Sequence, residues 1–425
     1  MSFFDVAAAI VVCAAAFGYL NHRLIGLRQT TGLTIMGALG SLAVVALDRA
    51  LPGVQIGHEL ADLIEAIDFR QALMEGMLSF LLFAGALHVD LQAMKRSALP
   101  IAAITCSGVL LSTALIGGLA WGAASLAGIA LAPAWCLLFG ALISPTDPVA
   151  VLGILKSARI PPSLEAMVAG ESLFNDGLAI VAFTVLLEIA LGAEQVSLAE
   201  AASLFAGEAL GGAALGLAAG WLSFFAMRSI NEHNLEVLIT LALVMGGYAL
   251  AHRLHVNGPI AMAVAGLIIG NHGRRLAMDD VTRDYVTKFW SLIDETLNAI
   301  LFLLIGVEVI VILDDWRLIL FGVAAIPLTL FARAVSVGVP MLALWQTSGV
   351  PRGSYPILVL GGVRGGISIA LALSLPEGPY KHLIVMATYV VVAFSVVLQA
   401  STVGMAARRI FSAEAGRTDV RAGHG

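Results

Sequence analysis

Long runs of apolar residues, separated by short polar segments, recur along the whole chain. Runs of about twenty residues match the hydrocarbon thickness of a bilayer, so they predict membrane-spanning helices and not barrel strands. The pattern predicts an all-α integral membrane protein with about thirteen transmembrane helices, followed by a short, disordered polar tail at 411–425. The predicted spans are 3–21, 31–49, 69–89, 98–121, 134–155, 164–191, 199–227, 233–252, 258–272, 286–312, 317–345, 354–376 and 381–407.

Two of these spans carry helix-breaking residues at their centres, in the fifth and in the twelfth. Proline removes a backbone donor and disfavours helix at the preceding residue, and clustered glycines weaken a helix. The two breaks lie in the middle of two three-span groups, four to six and eleven to thirteen, which predicts inverted repeats with two discontinuous helices. The alternative is that proline and glycine only kink packed helices. The breaking residues are Pro145 and Pro148 in one span and Gly361, Gly362, Gly365 and Gly366 in the other.

Composition agrees with the pattern, because 59% of the 425 residues are hydrophobic and only 12% are charged. Soluble domains carry roughly a quarter charged residues, so a soluble protein is excluded. Cys13, Cys106 and Cys136 all lie in apolar runs, without the spacing of a disulfide framework or a metal site. The sequence has no basic patch for nucleic acid, and no metalloprotease, nucleophile-elbow or phosphate-loop motif of an enzyme.

The distribution of Lys and Arg predicts the orientation of the chain. They are more numerous in the alternating loops that contain Lys95, Arg96, Arg274 and Arg275 than in the other loops. Positive loops lie on the cytoplasmic side, so with an odd number of spans the N-terminus is outside and the C-terminus is cytoplasmic. The acidic loop 50–68 then falls outside. The predicted location is the plasma or inner membrane.

The sixth span carries an unusual set of polar residues for a membrane helix. Glu171 and Asn175 are four residues apart and share one face, while Ser172 and Asp176 share an adjoining face. In hydrocarbon a carboxylate is favoured when it is protonated or when a cation lies beside it, so a proton and a metal cation compete for it. Hard cations prefer oxygen ligands. The candidate cation- and proton-binding residues are Asp176, Asp147, Thr146, Ser172 and Asn175.

Buried arginines need partners because a guanidinium keeps its charge. We expect Arg364, between the glycines of the twelfth span, to form a structural ion pair with Glu171. It also offsets the exposed carbonyl ends of the broken helices. Arg333 in the eleventh span is expected to be balanced by an acid in a structural role. For Asp176, a buried structural acid paired with a base is the alternative.

At these residues the sequence resembles the sodium/proton antiporters of the NhaP/NHE branch of the monovalent cation/proton antiporters. The resemblance covers nearly the whole membrane region. The motifs that carry it are SPTDPVAV (Ser144–Val151), GESLFNDG (Gly170–Gly177), FLLIGVE (Phe302–Glu308), FARAVSV (Phe331–Val337) and GGVRGG (Gly361–Gly366).

The resemblance implies thirteen spans, a homodimer and the NhaA-like antiporter fold. It implies a core from spans 98–191 and 317–407, dimerisation spans 3–89 and 233–312, and a linker span 199–227. It implies that Asp176 carries ion and proton with help from Asp147, Thr146 and Ser172. It further implies the Glu171–Arg364 pair, and an electroneutral branch marked by Asn175 before Asp176. The sequence departs from many relatives at Ala84, where they carry a glutamate.

These observations predict a secondary antiporter that exchanges Na⁺ or Li⁺, and K⁺ as a further possibility, for H⁺ by alternating access and without a cofactor. One titrating carboxylate, Asp176, predicts an exchange of one cation for one proton. A sodium-coupled symporter of an organic anion, in which Arg364 clamps a carboxylate, is the first alternative. A channel or a sensor is the second, although the sequence has no filter-like backbone run.

Overall fold

The computed structural model describes residues 3–50, 77–147, 151–153, 155, 158, 160–192, 198–307, 316–344 and 353–422. Within these ranges every regular element is a helix, as the apolar pattern predicts. Pro148, Glu308 and most of the acidic loop 50–68 lie outside the described residues, so the predictions made for them stay predictions.

Most of the helices overlap predicted spans, while two short helices at Leu91–Arg96 and Arg274–Leu276 lie between them. The first half of the chain contains α1 (Phe3–Leu20), α2 (Gln29–Ala50), α3 (Leu78–Leu87), α4 (Leu91–Arg96), α5 (Ala98–Leu126), α6 (Pro133–Ile143), α7 (Pro162–Ala190) and α8 (Leu198–Arg228). The second half contains α9 (His233–Arg253), α10 (Gly258–Ile268), α11 (Arg274–Leu276), α12 (Asp280–Val307), α13 (Trp316–Leu344), α14 (Ser354–Leu360), α15 (Gly366–Leu373), α16 (Lys381–Phe394) and α17 (Ala400–Ala422). Three π-helical turns are described at Asn21–Ile25, Ile269–Gly273 and Ser395–Gln399.

Seven of the helical stretches that the structure describes are long and apolar enough to cross a membrane. Their length and hydropathy make the chain a multi-pass membrane protein. The polar end of the chain differs from the prediction, because α17 continues to Ala422 where a disordered tail was expected. The segment after Phe411 has no proline and contains Ala, Glu and Arg, which favour helix, next to Gly416 and Thr418, which do not.

The described chain divides into two compact units. The first consists of Met1–Leu87, Gly212–Val323 and Ile369–Ala393. In it, α2 packs against α12, and a Cβ atom on Gly37 would lie 2.8 Å from the carbonyl oxygen of Leu303. Small residues allow such close backbone contact between membrane helices.

An aromatic cluster forms the interior of the first unit. Trp290 is fully buried and packs on Phe83, with ring centroids 4.6 Å apart. Its indole N–H donates to Thr240 Oγ1 over 2.9 Å, which satisfies the polar end of the ring. Ala84 is fully buried in this same cluster.

The second unit consists of His88–Gly211, Ala324–Ser368 and Phe394–Gly425. Within it α6 packs against both α5 and α7. Gly140 lies directly against the carbonyl of Thr113, and a Cβ atom on Gly117 would lie 2.8 Å from the Cα atom of Leu137. This tight packing fixes the position of α6, whose C-terminal end leads into the first predicted break.

Both predicted interruptions are present in the second unit. α6 begins with Pro133 and ends at Ile143, and the chain from Ser144 to Asp147 is not helical. α14 ends at Leu360, and the helix resumes as α15 only at Gly366. Each break frees backbone carbonyls that a continuous helix would bond internally, so these carbonyls need other donors.

Candidate functional site

The two non-helical segments are bonded to each other inside the second unit. The backbone N–H of Asp147 donates to the carbonyl oxygen of Val363 over 2.7 Å. Gly365 lies against the Asp147 side chain, since a Cβ atom there would lie 2.5 Å from Asp147 Cβ and 2.6 Å from Oδ2. A residue without a side chain is therefore required at this point of the second break.

Oxygen atoms from the first break and from α7 converge beside these segments. Thr146 Oγ1 and Ser172 Oγ lie 3.0 Å apart, and the backbone N–H of Thr146 bonds the carboxylate of Asp176. Asp176 is only 3% exposed, and its Oδ1 atom has no hydrogen-bond partner among the described residues. A buried carboxylate oxygen without a partner is a group that accepts a proton or a hard cation, and the hydroxyls of Thr146 and Ser172 are further oxygen ligands in the same part of the second unit.

Asn175 holds this arrangement together through its amide nitrogen. The nitrogen lies 3.3 Å from both the carbonyl oxygen of Ser144 and Thr146 Oγ1, and 3.4 Å from Glu171 Oε1. Its own Oδ1 atom is buried and has no partner in the described part of the chain. Asn175 therefore links α7 to the first break and leaves one more oxygen near the predicted ligands.

The predicted ion pair of Glu171 with Arg364 is wrong, because the partner of Glu171 is Arg333. The two groups bind in a bidentate pair, with distances of 2.6 Å from Nη1 to Oε1 and 2.8 Å from Nη2 to Oε2. Both side chains are buried, and Arg333 also donates to the carbonyl oxygen of Leu358. The expectation that an acid balances Arg333 is thus confirmed, and this pair joins α7 to α13 and α14.

Arg364 instead binds the end of the first broken helix. Its Nη1 atom donates to the carbonyl oxygens of Ser144 and Pro145, at 3.2 Å for the second. These carbonyls are free because the helix stops at Ile143, and a guanidinium offsets the partial negative charge of a helix C-terminus. The expected role of Arg364 in covering carbonyl ends is confirmed by these contacts.

The end of α14 has its own donor, which the sequence analysis did not single out. Gln399 Nε2 donates to the carbonyl oxygens of Leu360 and Gly362, over 2.9 and 3.2 Å. Gln399 lies in the π-helical turn that follows α16 and is 5% exposed. A lone glutamine in the apolar run from Val396 to Ala400 is the only sequence signal that points to it.

Comparison with known proteins agrees with this geometry. The family model described as "Sodium/hydrogen exchanger, transmembrane" matches residues 9–409. The chain belongs to the sodium/hydrogen exchanger family. The resemblance predicted from the motifs is therefore confirmed, and because the family consists of secondary transporters the protein is not an enzyme.

Curated relatives of this exchanger are similar over most of its length. It is 47% identical over 415 residues to the Na(+)/H(+) antiporter NhaP of Pseudomonas aeruginosa, which covers 96% of this chain and 97% of that protein. It is 34% identical over 307 residues to the Na(+)/H(+) antiporter NhaH of Halobacillus aidingensis, covering 70% and 74%. Both names agree with an exchanger of monovalent cations.

A solved structure supports the fold of this exchanger. The sodium proton antiporter MjNhaP1 from Methanocaldococcus jannaschii at pH 8 superposes with a TM-score of 0.74, covering 96% of this chain and 99% of that one. The sequence identity is 20%, so the match shows the fold alone. The all-helical architecture of the described residues fits this antiporter fold.

Proposed function

We propose that this exchanger trades Na⁺ for H⁺ at Asp176, with Thr146, Ser172, Asp147 and Asn175 as the surrounding oxygen ligands. The observation that carries the proposal is the buried carboxylate of Asp176, whose Oδ1 atom has no partner within the described chain and which accepts the backbone N–H of Thr146. Either a proton or a cation stabilises this carboxylate, and binding of one excludes the other.

The balance of buried charges supports a ratio of one cation to one proton. Among the described residues of the second unit, the buried ionisable side chains are Asp147, Glu171, Asp176, Arg333 and Arg364. Three carboxylates and two guanidinium groups leave one uncompensated negative charge. One proton or one monovalent cation neutralises it. Each cycle therefore carries one positive charge in each direction, and the exchange is electroneutral. A buried net charge is costly in a membrane interior, so the empty ionised site does not cross readily.

The contacts of Arg364 bear on the symporter alternative. That reading needs a free guanidinium to clamp an organic carboxylate, whereas Nη1 of Arg364 binds backbone carbonyls and only Nη2 has no partner among the described residues. No observation favours symport, and the similar proteins are antiporters by name.

The proposed architecture is thirteen spans with two inverted repeats. The core comprises spans 98–191 and 317–407, the dimerisation region comprises 3–89 and 233–312, and 199–227 is the linker. Two features support it: the similarity to MjNhaP1, and the grouping of both breaks with 98–191 and 324–368 of the proposed core in one compact unit, while 369–393 belongs to the other unit. Alternating access then moves the core relative to the dimerising spans.

We further propose that the protein is a homodimer in the inner or plasma membrane. Its N-terminus is outside and its C-terminus is cytoplasmic, as the loop charges indicate. Li⁺ and K⁺ are further candidate cargoes, since the ligands are oxygens that do not by type distinguish among the alkali cations.

The decisive experiment measures proton flux in proteoliposomes in response to Na⁺, Li⁺ and K⁺ across a pH series, with and without a membrane potential. We expect the apparent KM for Na⁺ to rise as pH falls, because protons occupy Asp176, and the rate to be independent of the potential. Asp176→Asn should abolish exchange while leaving a folded protein. Full activity in that variant would exclude Asp176 as the carrier, and a response to the potential would exclude the electroneutral ratio.

A further inference from the structure

The π-helical turn Ser395–Gln399 lies between α16 and α17 and interrupts an otherwise regular helix. A π turn contains one more residue than an α turn, and such turns occur frequently at functional sites. This one brings two buried polar side chains, Ser395 and Gln399, into an apolar segment. Buried polar groups are costly unless they are hydrogen-bonded, so their partners indicate their purpose.

The partners lie in the second break. Gln399 Nε2 donates to the carbonyl oxygens of Leu360 and Gly362, while Ser395 Oγ donates to Gln399 Oε1 over 2.8 Å. The serine therefore fixes the orientation of the amide, with the nitrogen directed at the two carbonyls. Ser395 and Gln399 are four residues apart, a spacing that places two side chains next to each other on a helix.

The bonded carbonyls lead directly to the proposed cation site. Gly362 precedes Val363, whose carbonyl oxygen accepts the backbone N–H of Asp147 at 2.7 Å. Asp147 follows Thr146, a proposed ligand. A path of hydrogen bonds and single peptide units therefore connects Gln399 with the first break, without any direct contact of Gln399 with the ligands.

We propose that Gln399 is a positioning residue for the cation site. It holds the backbone of 360–363 so that Val363 in turn fixes the position of Asp147, and Ser395 orients its amide. The inference rests on the proposed function, because its effect is seen as a change in apparent cation affinity. Gln399 itself touches neither cation nor proton.

The test compares Gln399→Met with wild type in proteoliposomes. Methionine has nearly the same length and shape but cannot donate a hydrogen bond. We expect the apparent KM for Na⁺ to rise about tenfold, equivalent to about 1.4 kcal/mol, with the maximal rate changed less than about twofold. Ser395→Ala should shift KM in the same direction by a smaller factor, because the amide stays present but loses its orientation.

Thr388→Val is the matched control. Thr388 is buried in α16, and its Oγ1 atom donates to Ile384 of the same helix over 2.7 Å. The substitution removes a buried hydrogen bond without touching the second break, so KM should stay at the wild-type value. Equal KM shifts in Thr388→Val and Gln399→Met would mean that the effect is general destabilisation, and would overturn the proposal.

Hydrogen exchange provides a readout that does not depend on transport. Peptides covering 354–366 should exchange faster in Gln399→Met and in Ser395→Ala than in wild type, but not in Thr388→Val. If Gln399→Met does not fold, Ser395→Ala decides by both measurements. Unchanged exchange or an unchanged KM would refute the positioning role. A wild-type protein without Na⁺-dependent proton flux would instead refute the proposed function, and the exchange data would still test how the second break is held.

Discussion

The ends of α6 and α14 both leave free carbonyls inside the second unit, but different side chains hold them. At the end of α6, the guanidinium of Arg364 binds the carbonyls of Ser144 and Pro145. At the end of α14, the neutral amide of Gln399 binds the carbonyl of Leu360. A charged donor therefore lies at the end that leads into the proposed cation site, and an uncharged donor lies at the other end.

Arg333 also contributes to the difference in charge between the donors at the two helix ends. It also donates to a carbonyl near the end of α14, that of Leu358, but its charge is balanced by the direct pair with Glu171. The second end is thus held by groups with no net charge. At the first end, the guanidinium of Arg364 places a positive charge beside the backbone that leads to Asp147. In the proposed mechanism, the first break therefore supplies cation ligands and the second break holds the first in position.

The largest effect is expected from Arg333→Met. It leaves the buried carboxylate of Glu171 without its partner, which should cost about 3–5 kcal/mol of stability. Unfolding of the detergent-solubilised protein measures the loss. The double variant Arg333→Met with Glu171→Gln removes the orphaned charge and should recover most of it. If Arg364→Met were instead the more destabilising single substitution, Arg364 would be the partner of Glu171, as the sequence predicted. The difference between the two helix ends described above would then be wrong.

The partner of Glu171 is a feature that the sequence does not predict. Both breaks were predictable, because proline and clustered glycine disrupt helices by local chemistry. The identity of the acid's partner was not, since Arg333 and Arg364 both lie near the centres of apolar spans. Which one meets Glu171 depends on how α7, α13 and the second break are rotated against one another. That is a property of packing, and the residue pattern does not contain it.

The contacts of Gln399 could not be predicted from the sequence for the same reason. Gln399 bonds to carbonyls 39 and 37 residues away, and nothing in the run from Ser395 to Gln399 indicates these partners. The spacing of four residues between Ser172 and Asp176 on α7 could be read from the sequence, whereas the contact of Ser172 with Thr146 in the first break depends on packing. Local spacing was therefore informative, and contacts between distant segments were not.

The next largest effect is expected from Gly365→Ala. The added Cβ atom would lie 2.5 Å from Asp147 Cβ, so the two breaks must separate. We expect the rate of exchange to fall by at least about tenfold, because a displacement of about 1 Å at a reactive site can lower activity by about a hundredfold. Gly118→Ala on α5 is the control, since a Cβ atom there meets no atom within 4 Å. Wild-type exchange in Gly365→Ala would show that the contact between the breaks is unimportant.

The smallest effect is expected from Ser172→Ala, which tests the first end without disturbing its backbone. The variant loses the 3.0 Å contact with Thr146 Oγ1 and one proposed cation ligand. Ser112→Ala is the matched control, because it loses a buried 3.1 Å hydrogen bond to Ser336 in the same unit. Each substitution should reduce stability by about 1 kcal/mol. Only Ser172→Ala should raise the apparent KM for Na⁺, by about fivefold or about 1 kcal/mol. If both serine variants kept the wild-type KM, the hydroxyl would be a structural group, and the ligands would reduce to the carboxylates, Thr146 and Asn175.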